Sequence, residues 1–182
     1  IPGGMSLIWF RDDGDFIEAT IGDSWSSIIQ GILLTGAILI LFLQDIRTAL
    51  IAFISIPASI IIAFVVMPSL GYTMNIPTLT AFGLSVGILV TNSIVVLENI
   101  DAKLSGNRDH VKDDVQKATA GVAVAVLASA LTNIVVFIPV GMMKSLSGRM
   151  LSCFGVVIAA ATIASLFISF TLTPMLSSII LK

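Results

Sequence analysis

Residues Thr48–Leu97 read TALIAFISIPASIIIAFVVMPSLGYTMNIPTLTAFGLSVGILVTNSIVVL, and no charged side chain occurs among them. A helix needs about 20 apolar residues to cross about 30 Å of hydrocarbon, so this stretch is long enough for two passes. Between them, Pro68-Ser-Leu-Gly-Tyr72 supplies proline, glycine and tyrosine, which suit a short turn at the membrane surface. The apolar runs are continuous rather than alternating, and about twice the length of a barrel strand. Helices also satisfy every backbone group internally, which lipid demands.

Three further charge-free gaps lie outward from this stretch: Ser24–Gln44, Ala118–Met143 and Met150–Leu181. Each holds one pass. The sequence therefore predicts an all-α, polytopic transmembrane helix bundle with five spans, at about 25–43, 48–68, 77–97, 119–140 and 151–172. Composition agrees. Of the 182 residues 57% are hydrophobic and 11% charged, where a soluble domain carries about a quarter charged. That balance excludes a soluble globular enzyme, and a net charge of −2 leaves no basic field for nucleic acid. A single cysteine, Cys153, excludes a disulfide scaffold and a multi-cysteine metal site, and a single histidine, His110, argues against a histidine-built zinc site. No nucleophile–base pair, phosphate loop or dinucleotide turn is present, so neither an enzymatic reaction nor a cofactor is implied.

Lys and Arg set the orientation. Arg47, Lys103, Arg108, Lys112, Lys117 and Lys182 fall on one side, and Arg11, Lys144 and Arg149 on the other. The loop 98–118 and the C-terminal end are then cytoplasmic, and residues 1–23 and the loop around Gly141–Arg149 face outward. Residues 1–23 form the only soluble-looking outer segment. Met5–Phe10 suits a strand end, and Asp15-Phe-Ile-Glu18 has a capping-box form that predicts a helix starting near Phe16 and feeding the first span. Glu98–Leu104 extends the third helix past the membrane. Asp109 is a candidate N-cap for a surface helix, with His110, Asp113 and Asp114 on solvated faces.

No ionisable residue lies within a predicted span, although such residues are the usual functional signal in a transporter. Small and neutral polar side chains remain. Gly83, Gly87 and Thr91 share one stripe of the third span, where small residues admit a close helix neighbour. Thr91-Asn92-Ser93 differs in kind, because an asparagine deep in a span must find partners. Ser129, Thr132 and Asn133 form a second group of the same character in the fourth span. These groups read either as interhelical hydrogen bonding or as an ion path built from amides, hydroxyls and water. Pro57 is expected to kink the second span. Met142, Met143 and Met150 suit membrane-edge packing.

Several of these words occur together elsewhere. Phe42-Leu-Gln-Asp-Ile-Arg47-Thr-Ala-Leu-Ile51, Ile56-Pro57 and Gly71-Tyr-Thr-Met-Asn75 resemble the second and third spans of resistance-nodulation-division (RND) transporters. The resemblance continues through Gly87-Ile-Leu-Val-Thr-Asn-Ser-Ile-Val-Val-Leu-Glu98-Asn99-Ile100, Phe137-Ile-Pro139 and Leu172-Thr-Pro174-Met-Leu176. It is nearest to the acriflavine-resistance (AcrB/AcrD/AcrF) type and covers nearly the whole chain in one register. It implies spans two to six of the N-terminal half of a twelve-span transporter, with residues 1–23 as the tail of a periplasmic porter segment and 24–182 as the membrane bundle. It implies a homotrimer in the inner membrane, embedded in lipid and working with the remainder of its own chain. A periplasmic adaptor and an outer-membrane channel would complete the assembly. Drugs, amphiphiles or metal ions would leave the cell in exchange for an inward cation.

One departure matters. The family's adjacent pair of proton-binding aspartates falls at Thr91 and Asn92, and neither side chain titrates near neutral pH. The proton-carrying group could sit elsewhere in the full chain. A different cation, such as Na⁺, could be held by hydroxyl and amide oxygens. The copy could also be uncoupled, a degenerate subunit. Outside transport, the same fold could serve as a sterol-sensing-like sensor or scaffold, or as a protein-export accessory.

Overall fold

The computed structural model describes residues 13–43, 45–104 and 111–181. They form six α-helices: α1 (Asp13–Leu43), α2 (Ile46–Val66), α3 (Ile76–Leu104), α4 (Val111–Gly141), α5 (Leu146–Phe170) and α6 (Leu172–Ile180). A 3₁₀ turn, Met67–Leu70, follows α2. There is no strand among the described residues. Five stretches are long and apolar enough to cross a membrane: Gly14–Leu41, Ile46–Leu70, Ile76–Leu104, Val111–Gly141 and Ser147–Ile180. The protein is an all-helical, multi-pass membrane bundle.

Local chemistry sets the helix ends. Asp45 caps α2, its carboxylate accepting from the Arg47 N–H at 2.9 Å. Gly71, at φ 77°, closes the 3₁₀ turn in the left-handed region, where a side chain would be strained. At the start of α3, Asn75 Oδ1 accepts from the Thr78 N–H at 2.9 Å, and Thr78 Oγ1 accepts from the Asn75 N–H at 2.8 Å. This reciprocal pair satisfies two donors that a helix start leaves free. Ser145 does the same for α5, accepting from the Gly148 N–H at 3.0 Å.

Several boundaries differ from the sequence reading, each for a local reason. The first helix begins at Asp13, three residues before the expected start near Phe16, and continues into the first span. The surface helix and fourth span are one helix from Val111, and Asp109 and His110 lie outside the described residues. Met5–Phe10 lies outside them too. The fifth pass breaks at Thr171, which has φ −118° and ψ −72°. Pro174 has no N–H to offer the Phe170 carbonyl, so α5 ends there and α6 restarts. Pro57 sits inside α2, which continues on both sides of it.

α3 touches every other helix. Its buried side chains include Leu79, Phe82, Val86, Leu89, Val96, Leu97 and Ile100. Phe64 of α2 lies against Phe82 with ring centroids 4.1 Å apart, and Trp25 of α1 lies 5.7 Å from Phe64. The outer faces are apolar as well. Leu34, Leu41, Ile61, Val65, Val124, Val135 and Ile163 are exposed. Water would penalise such a surface, and a bilayer accepts it.

The tightest helix approach falls away from the Gly83/Gly87 stripe. A Cβ on Gly87 would meet nothing within 4 Å, and one on Gly83 only the Ile28 side chain at 4.0 Å. A Cβ on Gly155 of α5 would sit 2.5 Å from the Gly141 nitrogen and 2.7 Å from the Phe137 oxygen of α4. Backbone presses on backbone there, so only glycine fits. Ser152 donates to the Gly141 carbonyl in the same seam. At the other end, the Asn99 side-chain N–H donates to the Ala118 carbonyl at 2.6 Å and ties α3 to α4.

Candidate functional site

The polar side chains of the interior are all small or neutral. Thr48, Ser55, Ser59, Thr78, Ser85, Asn92, Ser93, Thr162, Ser165, Ser169, Thr173 and Ser177 are buried, and no charged side chain is buried among the described residues. Asn92 and Ser93 of α3 are buried in the bundle, Ser93 against α5. Ser93 Oγ lies 3.0 Å from Ser169 Oγ, and Ser165 Oγ donates to the Leu89 carbonyl at 2.8 Å. Asn92 is 1% exposed, and its amide nitrogen has no hydrogen-bond acceptor among the described residues. An unmet buried donor of this kind costs about 1–3 kcal/mol.

Ser165, Ser169, Thr173 and Ser177 follow one another at intervals of four and are all fully buried. They continue the polar line past the break between α5 and α6. Ser55 of α2 gives its hydroxyl proton to the Ile51 carbonyl at 2.8 Å. A hydroxyl has one proton, so Thr173, 3.1 Å away, donates to Ser55. Ser177 donates to the Thr173 carbonyl and Ser59 to the Ser55 carbonyl, both at 2.8 Å.

Thr91 is separated from its neighbour. Adjacent residues on a helix lie about 100° apart, and here the difference divides inside from outside. Asn92 is buried, whereas Thr91 is exposed on the same face as Leu84 and Gly87, its hydroxyl donating to the Gly87 carbonyl at 3.2 Å. Ser129, Thr132 and Asn133 do not join Asn92. Ser129 and Thr132 are exposed on α4, Thr132 donating to its own helix at Ala128, and Asn133 is half-buried. The partners that α3 meets are Ser165 and Ser169, which the sequence reading passed over. Their four-residue spacing with Thr173 and Ser177 was the available signal.

The arrangement is a neutral seam of one amide and several hydroxyls at the junction of α2, α3, α5 and α6. It can orient dipoles, hold water or lend oxygen atoms to a cation. It offers no side chain that gains or loses a proton near neutral pH.

Fold and site together define a multi-pass helical membrane bundle with a neutral polar seam on its central helix. The sequence matches the AcrB/AcrD/AcrF family over residues 1–182, and the chain belongs to that family. It is 30% identical over 183 residues to the multidrug resistance protein MdtF of Escherichia coli K12, covering 100% of this chain and 18% of that protein. The multidrug resistance protein MdtC of Escherichia coli O139:H28 is 32% identical over 182 residues, again 100% of this chain and 18% of that protein. The swarming motility protein SwrC of Bacillus subtilis 168 is 34% identical over 173 residues, 94% of this chain and 16% of that protein. The chain thus spans less than a fifth of the length of these relatives.

Proposed function

We propose that this chain is the membrane-embedded part of the N-terminal half of an RND-type secondary active transporter. The full protein would export small molecules (drugs, amphiphiles or metal ions) across the cell envelope, driven by a cation gradient. It would lie in the inner membrane with residues 1–23 outward, as the tail of the porter segment, and with the loop 98–118 in the cytoplasm. It would work as a homotrimer with a periplasmic adaptor and an outer-membrane channel. One observation carries the reading: an orphaned, buried amide, Asn92, on the helix that touches all others; by the resemblance, it stands at one of the two positions where the family carries its ion-binding aspartates. Buried, unmet polar groups persist where they serve a task other than stability.

On this reading the proton-carrying group lies in another part of the full-length chain, and Asn92 and Ser93 orient water or a partner side chain around it; the seam's neutrality supports it. A second reading, an uncoupled or non-transporting copy acting as sensor or scaffold, is favoured by the same observation that no charged side chain is buried. Efflux measured in proteoliposomes of the full-length protein, under imposed proton or sodium gradients, separates them. Transport that follows ΔpH and is lost in Asn92→Ala supports the first reading. Transport that follows a sodium gradient alone reassigns the coupling ion. No efflux under either gradient favours the second reading, and unchanged ΔpH-driven efflux in Asn92→Ala removes any role for Asn92.

A further inference from the structure

We propose that the groove between α4 and the α5–α6 junction is a binding site for an acidic phospholipid of the leaflet at the α4 N-terminal side. The inference requires only that the chain lies in a bilayer, and it is independent of transport.

The groove has a volume of about 420 Å³ and is lined by Lys112, Gln116, Thr119 and Ala123 of α4, with Phe170 and Met175 opposite. The α4 residues recur at three- and four-residue steps, so they form one stripe along the helix. Their chemistry changes along it in one direction, from ammonium to amide to hydroxyl to methyl. Eleven residues at 1.5 Å each separate Lys112 from Ala123, about 16 Å. One leaflet contributes about half of the 30 Å hydrocarbon core. With the pass beginning near Thr119, Lys112 stands about 10 Å outside that core, in the headgroup layer, and Ala123 about 6 Å inside it, so the stripe crosses from headgroups to acyl chains. A soluble peptide would not match a stripe that crosses the membrane surface, and a phospholipid has the same order of polarity, charged headgroup outward and acyl chain inward.

The donors available fix the sign of the headgroup. Thr119 gives its hydroxyl proton to the Val115 carbonyl, and Ser178, at the groove's edge, gives its own to the Met175 carbonyl, both at 2.8 Å. That leaves the Lys112 ammonium and the Gln116 amide to donate outward; both suit a phosphate oxygen, and a headgroup with its own cation would face the ammonium with no carboxylate in the groove lining to offset it. Asp113 and Asp114 lie about 100° and 200° around the helix from Lys112, off the stripe. Lys117 is exposed and also off the stripe, which makes it a matched control.

The experiment uses the full-length transporter, purified and equilibrated with mixed phosphatidylglycerol and phosphatidylethanolamine vesicles. Retained lipids are counted by native mass spectrometry. Wild type is expected to retain phosphatidylglycerol preferentially. Lys112→Gln should lower that retention about five-fold while leaving phosphatidylethanolamine unchanged. Ala123→Trp, which fills the apolar end and keeps the charge, should lower it too, and Lys117→Gln should not. Equal loss in Lys112→Gln and Lys117→Gln would mean general surface attraction and would overturn the site. Full retention in Lys112→Gln would also overturn it. A photoreactive residue in place of Gln116 gives an independent readout. Adducts with phosphatidylglycerol support the proposal, and adducts with another segment of the protein show a different occupant and refute it.

Discussion

α3 and α4 each carry an asparagine near mid-span, and the fold treats the two oppositely. α3 lies at the centre and touches every other helix, and its Asn92 is almost wholly buried with its amide nitrogen unmet. α4 lies at the edge, with only Val111, Val115, Ala118, Val126 and Ala130 buried. Its Asn133 is half-buried, and its hydroxyls face outward. α3 is packed against every other helix and leaves the Leu84/Gly87/Thr91 face open. α4 is held mainly along its seam with α5, where Gly155 meets Gly141, and by the Asn99 bond at its other end. Polar content alone does not distinguish a working helix from a supporting one. What distinguishes them is whether a polar group's own backbone can satisfy it. Thr132 bonds four residues back on its own helix and can face lipid. Asn92 has no such acceptor.

The largest effect should come from the α4 seam. Gly155→Ala drives a methyl into the Gly141 and Phe137 backbone, and should destabilise the full-length protein by about 1–3 kcal/mol in denaturant or thermal unfolding in detergent. Gly87→Ala, facing open space, should change stability by less than about 0.5 kcal/mol. Equal costs for the two would erase the contrast between seam and open face.

Next comes the asparagine pair. Asn92→Leu removes an unmet buried donor and should raise unfolding stability by about 1–3 kcal/mol. Under the proposed function it should also abolish gradient-driven efflux, a trade of stability against activity. Asn133→Leu should leave efflux intact. Equal efflux in both variants would show that the buried position carries no special role.

A finer test concerns the α3–α5 hydroxyl contact. A double-mutant cycle on Ser93→Ala and Ser169→Ala should give a coupling of about 0.6 kcal/mol, the usual scale for such bonds in membrane proteins. A coupling of zero would mean that the two hydroxyls at 3.0 Å are neighbours without a shared bond. The smallest effect belongs to Thr132→Val on the outer face of α4, which should stay within about 0.5 kcal/mol. A larger cost would move that face from lipid to a protein contact.

Much of the fold was legible because charge-free gaps of about 20 residues have few physical readings other than a membrane pass. Helix ends were less legible. α3 runs to Leu104 and α4 starts at Val111, both beyond the hydrocarbon, and hydropathy carries no signal where a helix continues into water. The break at Thr171 follows from Pro174, and span length alone carries no signal of a lost backbone bond. At the site, Asn92 stood out by chemistry. Ser165 and Ser169 did not, because single serines in an apolar run resemble their surroundings. Gly83 and Gly87 had the spacing of a packing face, and spacing does not say which side of a helix its neighbour occupies.

The neutral interior also bears on how the chain enters the membrane. A charged aspartate at the centre of a span raises the cost of insertion by about 2.5–3.5 kcal/mol, and a helix carrying two would depend on an already seated neighbour. With threonine and asparagine at positions 91 and 92, α3 carries no such debt, and each of the five passes can partition into lipid as it leaves the translocation machinery. Assembly of this half can then follow insertion, with the hydroxyl contacts between α3 and α5 forming only after both helices lie in the bilayer.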